Sequence, residues 1–179
     1  MPKSKFQNLT AAEVVNSSSE KDLADIFFKY GEERKSRQIA KAIVEERRRK
    51  RITTTGELAS VIQKVYPKRI GKINPVTKVF QALRIYVNRE LDNLETLLKN
   101  LDKIVNVKGR IAIISFHSLE DRLVKNYFRA LQKQGMVTIL TKKPIIASRG
   151  EILENPRARS AKLRACYIIS IRQPAEKKL

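Results

Sequence analysis

The spacing of apolar residues changes once along this chain, at Lys108-Gly109, and that change limits the folds open to it. Before that point, apolar residues recur at three- and four-residue intervals, the spacing of a helix face. After it comes Ile111-Ala112-Ile113-Ile114-Ser115-Phe116, a short β-branched run between turn residues. Such a run predicts a strand buried on both faces, as in a parallel sheet. The predicted fold class is therefore α/β, with a helical part first and a partial sheet afterwards. It is not a complete doubly wound domain.

The helices can be placed one by one. Ser19 caps a helix that carries Leu23, Ile26, Phe27 and Tyr30 at i, i+3, i+4 and i+7, and Gly31 ends it. A second helix is predicted over 33–50, with Ile39, Ile43 and Val44 facing inward. Thr54 and Glu57 form a capping-box pattern for a third, which Pro67 stops. Asn74-Pro75 opens a long helix that continues to Leu101, with a bend or break near Asn88. Beyond the strand, Ser118 is expected to cap a helix bearing Leu123, Val124, Tyr127, Phe128 and Leu131. Residues 136–141 read as a strand, 142–161 as a loop with one helical turn, and 165–172 as a final strand.

The charge narrows the range of partners. Lys and Arg number 38 against 18 Asp and Glu, a net charge of +20. Residues 29–51 hold ten basic and four acidic residues, 64–78 hold five and none, and 142–179 hold ten and three. These stretches supply 18 of the 20 net charges, so the excess is clustered around the apolar elements. Clustered cations beside a folded core predict contact with nucleic acid. A membrane-surface helix would alternate its cations with large apolar residues, and the run Arg47-Arg48-Arg49-Lys50-Arg51 does not. The RNA-binding candidates are Arg47, Arg48, Arg49, Lys50, Arg51, Lys68, Arg69, Lys72, Lys78, Arg157, Arg159, Lys162 and Arg164.

Several functions are excluded or disfavoured. A single cysteine, Cys166, allows no internal disulfide and suits a reducing compartment. One cysteine and one histidine make no Cys- or His-rich metal site. No apolar run approaches the roughly 20 residues of a membrane span, and no secretory signal is visible, so the expected location is cytoplasmic. His117 and Ser118 are adjacent, which does not suit a serine hydrolase, and no nucleophile elbow is present. No glycine-rich phosphate loop occurs either. The turn after a parallel strand lies at the ligand-binding edge of an α/β sheet. His117, Ser118, Glu120 and Arg122 are therefore the substrate-pocket candidates, alongside a purely structural use as a helix cap. Residues 155–164 (NPRARSAKLR) interleave cations with small residues, which suits phosphate contact.

Six stretches, in order, resemble the MraW/RsmH family, the bacterial methyltransferases of small-subunit ribosomal RNA. They are Thr10-Ala11-Ala12-Glu13-Val14-Val15-Asn16, Lys29-Tyr30-Gly31-Glu32-Glu33, Ile52-Thr53-Thr54-Thr55-Gly56-Glu57-Leu58-Ala59, Phe80-Gln81-Ala82-Leu83-Arg84-Ile85 with Val87-Asn88, residues 114–122 (ISFHSLEDR) and 155–164. The resemblance implies S-adenosylmethionine as methyl donor and methylation of a cytosine exocyclic amine in 16S rRNA. It implies that residues 1–88 are a helical, insertion-like RNA-recognition domain. Residues 89–179 would be the C-terminal part of a Rossmann-like methyltransferase domain. The family's N-terminal cofactor half, with its glycine-rich loop, has no counterpart here, and no cofactor-binding residue can be carried over. The implied partners are 16S rRNA or the small ribosomal subunit, and either a separate N-terminal methyltransferase half or a second copy of the chain. A truncated, non-catalytic RNA- or ribosome-binding protein is the alternative.

Overall fold

The computed structural model describes residues 9–66 and 74–170. The chain divides into two compact units after Glu90.

The first unit is helical: α1 (Ala11–Ser17), α2 (Glu20–Gly31), α3 (Ser36–Arg49), α4 (Thr55–Lys64) and α5 (Pro75–Asn88). Side-chain caps fix where the helices begin. Thr10 and Thr54 each form a capping box, with Glu13 and Glu57, and Ser19 accepts from the Asp22 amide. Asn74 accepts from the Val76 amide ahead of Pro75. Leu23, Phe27, Ile39, Ile43, Ile62, Val79 and Leu83 meet in one core. Each large side chain buried there contributes about 1.5–3 kcal/mol.

Helix α2 ends at Gly31, as expected, but Gly31 is not the residue that turns the chain. The left-handed residue is Glu32, at φ 48°. Gly31 is needed for a close approach: a Cβ there would lie 2.7 Å from the Lys78 carbonyl oxygen on α5. The helix expected over 33–50 starts three residues later, because Glu33 is turned inward and buried. The expected stop at Pro67 lies outside the described residues, and α4 ends at Lys64. The long helix from Asn74 breaks where a bend or break was expected, just after Asn88. Arg89 adopts φ 53°, and α6 (Glu90–Lys99) and α7 (Leu101–Ile104) follow.

The second unit adds β1 (Arg110–Ser115), α8 (Ser118–Lys133), β2 (Val137–Ile139), β3 (Ile145–Ile146), α9 (Arg149–Glu154), a 3-10 turn (Pro156–Ser160) and β4 (Lys162–Ile168). The sheet order is β1-β4-β2, and β3 also pairs with β4. Ile111 lies opposite Cys166, Ile139 opposite Cys166 on the other side, and Ile145 opposite Leu163. Val124, Phe128 and Leu131 of α8 pack with Ile111, Val137, Cys166 and Ile168. The fold is thus mixed helix and sheet, in keeping with an α/β class and a partial methyltransferase sheet.

Two expectations need correction. Every strand pair described is antiparallel, because β4 runs back between β1 and β2. And β1 is not buried on both faces: Ile111 and Ser115 are buried, whereas Ala112 and Ile114 are exposed. Among the described residues β1 pairs on one side only, so it is an edge strand. Residues 142–161 carry more order than a loop, in β3, α9 and the 3-10 turn. The last strand starts at Lys162 rather than Ala165.

Candidate nucleic-acid interface

The arginine run sits in the last turn of α3, where cations complement the helix dipole. Its members do different work. Arg47 donates to the Val15 and Ser18 carbonyls at 2.7 and 2.6 Å. These are carbonyls at the end of α1, which the helix itself leaves unsatisfied. Arg47 is therefore a clamp between α1 and α3. Arg48, Arg49 and Arg51 are exposed and make no ion pair among the described residues. Lys50 reaches Glu57 at 2.6 Å. That ammonium, with the Thr53 and Thr54 amides, holds the Glu57 carboxyl down to about 2. Arg48 and Arg49, with Arg51 near the Glu13 carboxylate, are the arginines of the run open to a phosphate backbone.

Lys68, Arg69 and Lys72 lie outside the described residues. Lys78, from the same basic stretch, faces inward. Its Nζ lies 3.6 Å from the Glu33 carboxylate and donates to the Glu32 carbonyl at 3.3 Å. Glu33 also accepts from the Tyr66 hydroxyl and from the Lys35 amide. Lys35 in turn stacks its ammonium over the Tyr66 ring, 4.5 Å from the centroid. One buried carboxylate thus joins α2, α4 and α5. Charge counting does not reveal this knot, although Glu33 was part of the motif that carried the resemblance.

The turn after β1 is built around a helix cap. The cap is His117, not Ser118, which is the first helical residue. His117 Nδ1 accepts from the Glu120 amide at 3.2 Å, while Glu120 accepts from the Phe116 and His117 amides at 2.8 and 3.3 Å. Because Nδ1 accepts, the ring proton of the neutral imidazole is on Nε2. Nε2 lies 3.5 Å from the second Glu120 oxygen. His117 and Glu120 are thereby brought together with Ser118 at the start of α8. Arg122 follows one residue after Asp121, on the exposed side of the helix.

The basic stretch 155–164 is divided by burial. Arg157 and Arg159 are exposed on the 3-10 turn. Arg164 is 7% exposed and grips Asp121 of α8, with Lys162 at 3.7 Å from the same carboxylate. These neighbours hold the Asp121 carboxyl below the usual carboxylate range, the Arg164 hydrogen bond most of all. Sequence reasoning missed Lys125 and Arg129 on α8. They share a groove with Lys142 and Arg164, and their i, i+4 spacing was the available signal.

Among the described residues, no helix is long and apolar enough to cross a membrane. The profile of the MraW methylase family matches residues 1–169. A "Ribosomal RNA small subunit methyltransferase H" from Endomicrobium trichonymphae is 54% identical over 167 residues, covering 93% of this chain and 57% of the relative. The protein of the same name from Nostoc sp. is 58% identical over 160 residues, covering 88% and 51%. That from Coprothermobacter proteolyticus is 52% identical over 158 residues, covering 88% and 52%. The chain spans about half the length of these curated relatives, in line with the partial match expected from its motifs. The match runs through the capping boxes, the buried Glu33 and the strand-to-helix turn alike, and the chain belongs to the MraW methylase family.

Proposed function

We propose that this chain is the RNA-gripping portion of a cytoplasmic S-adenosylmethionine-dependent methyltransferase that acts on a cytosine exocyclic amine in small-subunit ribosomal RNA. The observation that carries this is the family match over residues 1–169, joined to relatives named for that activity. The helical unit, with Arg48, Arg49 and Arg51 exposed at the end of α3, supplies phosphate contact. The turn at His117, Ser118, Glu120 and Arg122 supplies one wall of the target pocket. A base within a stem has to be flipped into that pocket, or to arrive already unpaired.

The residues described do not fit the methyl donor by themselves. Gly31 and Gly109 are pressed against their own chain: a Cβ would fall 2.7 Å from the Lys78 carbonyl oxygen and 2.5 Å from a Val105 methyl. Gly135 serves the turn after α8, at φ 71°. None forms an open backbone cradle beside the strand-to-helix turn. Donor binding is therefore assigned to the part of the relatives' length that this chain does not span, seated along the edge of β1 that is unpaired among the described residues.

Methyl transfer to small ribosomal subunits tests this, with the chain alone, the complementing half alone, and both together. Transfer is expected only from the mixture. An inert mixture, under conditions where a full-length relative is active, would overturn this reading. The exposed Arg48, Arg49 and Arg51, with no donor cradle among the described residues, also support a second reading, a ribosome-binding protein without catalysis. Salt-sensitive binding of subunits with an inert mixture is its expected signature.

A further inference from the structure

The sheet unit carries a basic groove of which the sequence motifs mark only Arg164. It has a volume of about 350 Å³ and lies between α8, the segment after β2 and strand β4. Lys125, Arg129 and Gln132 line one side at i, i+4 and i+7 of α8. Thr141 and Lys142 form the opposite side, over Phe128 and Ile139, and Arg164 closes the rear. We propose that this groove holds the phosphodiester backbone of a single RNA strand.

Charge and rigidity support it together. The lining contains four cations and no carboxylate. Asp121 behind it answers Arg164 and lies within electrostatic range of Lys125. Among the described residues no ion pair engages Lys125, Arg129 or Lys142, so about three positive charges are left for a ligand. The rear is fixed: Arg164 is held by Asp121, and the Thr141 hydroxyl accepts from the Ala165 amide at 2.9 Å. The mobile part is two lysines and one arginine on long stems, which suit a passing diester chain.

The size and the chemistry select the occupant. The volume is that of a small-ligand pocket, so a duplex cannot enter it. A free nucleotide is a poorer fit, because among the described residues no helix N-terminus or glycine loop lines the groove. The lining residues of α8 run from its middle to its last turn, away from its N-terminus. A strand held elsewhere by the same chain pays little further entropy to lay its backbone across these cations.

This inference rests on the RNA reading above, and fails separately from it. Lys125→Ala, Arg129→Ala and Lys142→Ala are combined in the full chain, with a control variant in which Lys21, Lys99 and Lys103 become alanine. Anisotropy of a labelled oligoribonucleotide is followed over a salt series. Three lost phosphate contacts should flatten the log–log salt slope by about 2, at about 0.7 per contact for a single strand. The control should change it by less than half as much. Equal effects in groove and control variants would overturn the proposal. So would an unchanged slope in the groove variant while Arg48, Arg49 and Arg51 substitutions abolish binding, and that result would leave the RNA reading intact. Displacement of the oligomer by micromolar adenosine monophosphate would make the groove a mononucleotide site, and would also overturn it. Lys142→Glu alone, outside any helix or strand, provides a second variant with no bearing on helix stability, and should weaken binding at low salt.

Discussion

Arg164 on β4 and Asp121 on α8 meet through two parallel contacts, Nε to Oδ1 at 2.6 Å and Nη2 to Oδ2 at 3.3 Å. Their side chains are 9% and 14% exposed. The pair ties the sheet to the helix that covers it and forms the back of the basic groove. Both the strength of the unit and the shape of its candidate RNA site therefore depend on one carboxylate.

Asp121→Asn should cost about 2–4 kcal/mol of stability, somewhat below the 3–5 typical of breaking a fully dry pair from one side. Acid should act on the same contact. The Asp121 carboxyl is held low, chiefly by the Arg164 hydrogen bond. A depressed carboxylate stabilises the fold fully above its ordinary value of 3.8, and that contribution is lost as pH falls through the lowered value. Urea midpoints measured from pH 7 down to 2 should fall more steeply for the wild-type chain than for the asparagine variant. Parallel curves would show that the pair contributes nothing to acid sensitivity.

The arginine run should separate into a structural and a binding part. Arg47→Ala leaves the Val15 and Ser18 carbonyls without their donor and should cost about 1–3 kcal/mol. Arg47→Lys should restore part of it, since an ammonium reaches one carbonyl but not both. Replacing Arg48, Arg49 and Arg51 together should leave the melting temperature within about 2 °C and weaken RNA binding with a smaller salt slope. A large melting shift in the triple variant would contradict the division drawn between these residues.

Glu33 should be among the least tolerant charged positions of the helical unit. It is 1% exposed and serves Tyr66, Lys35 and Lys78 at once. Alanine there leaves the Tyr66 hydroxyl and the Lys78 ammonium without a shared partner, at a cost of about 3 kcal/mol or more. Glutamine keeps hydrogen-bonding capacity and should cost less. Chemical unfolding of the two variants checks the order, and equal losses would mean that charge alone matters.

What could be read from the sequence depended on the range of the interactions. Local caps were legible: Ser19, Thr54 with Glu57, and Asn74-Pro75 start helices where the pattern places them. Features decided by distant residues were not. Gly31 is a helix end, as its position suggested, but the need for glycine there is set by a carbonyl 47 positions away, on Lys78. Arg47 and Arg164 counted as surface charge until their partners, 29 or more residues distant, came into view. The apolar run 111–116 read as a doubly buried strand because its composition suits one. Within this chain only one of its faces is covered.

That half-covered strand gives the last prediction. Ile114 on β1 and Phe116 just beyond it are 54% and 53% exposed, and the strand's far edge offers unpaired backbone groups among the described residues. Residues 142–161 do not close it, because β3 pairs with β4 instead. Natural proteins rarely leave an apolar edge bare, since it recruits another strand. The chain should therefore associate through β1, with the complementing half when that is supplied and with itself when it is not. Sedimentation over a concentration series should show a self-associated species heavier than 20.6 kDa, replaced by a complex with the complementing half when that is added. Ile114→Lys places a charge on the free edge and should abolish self-association without unfolding the sheet, because the side chain points away from the core. A chain that stays monomeric at every concentration, captures no complementing half and protects the amides of 111–116 from exchange would show the edge to be closed from within.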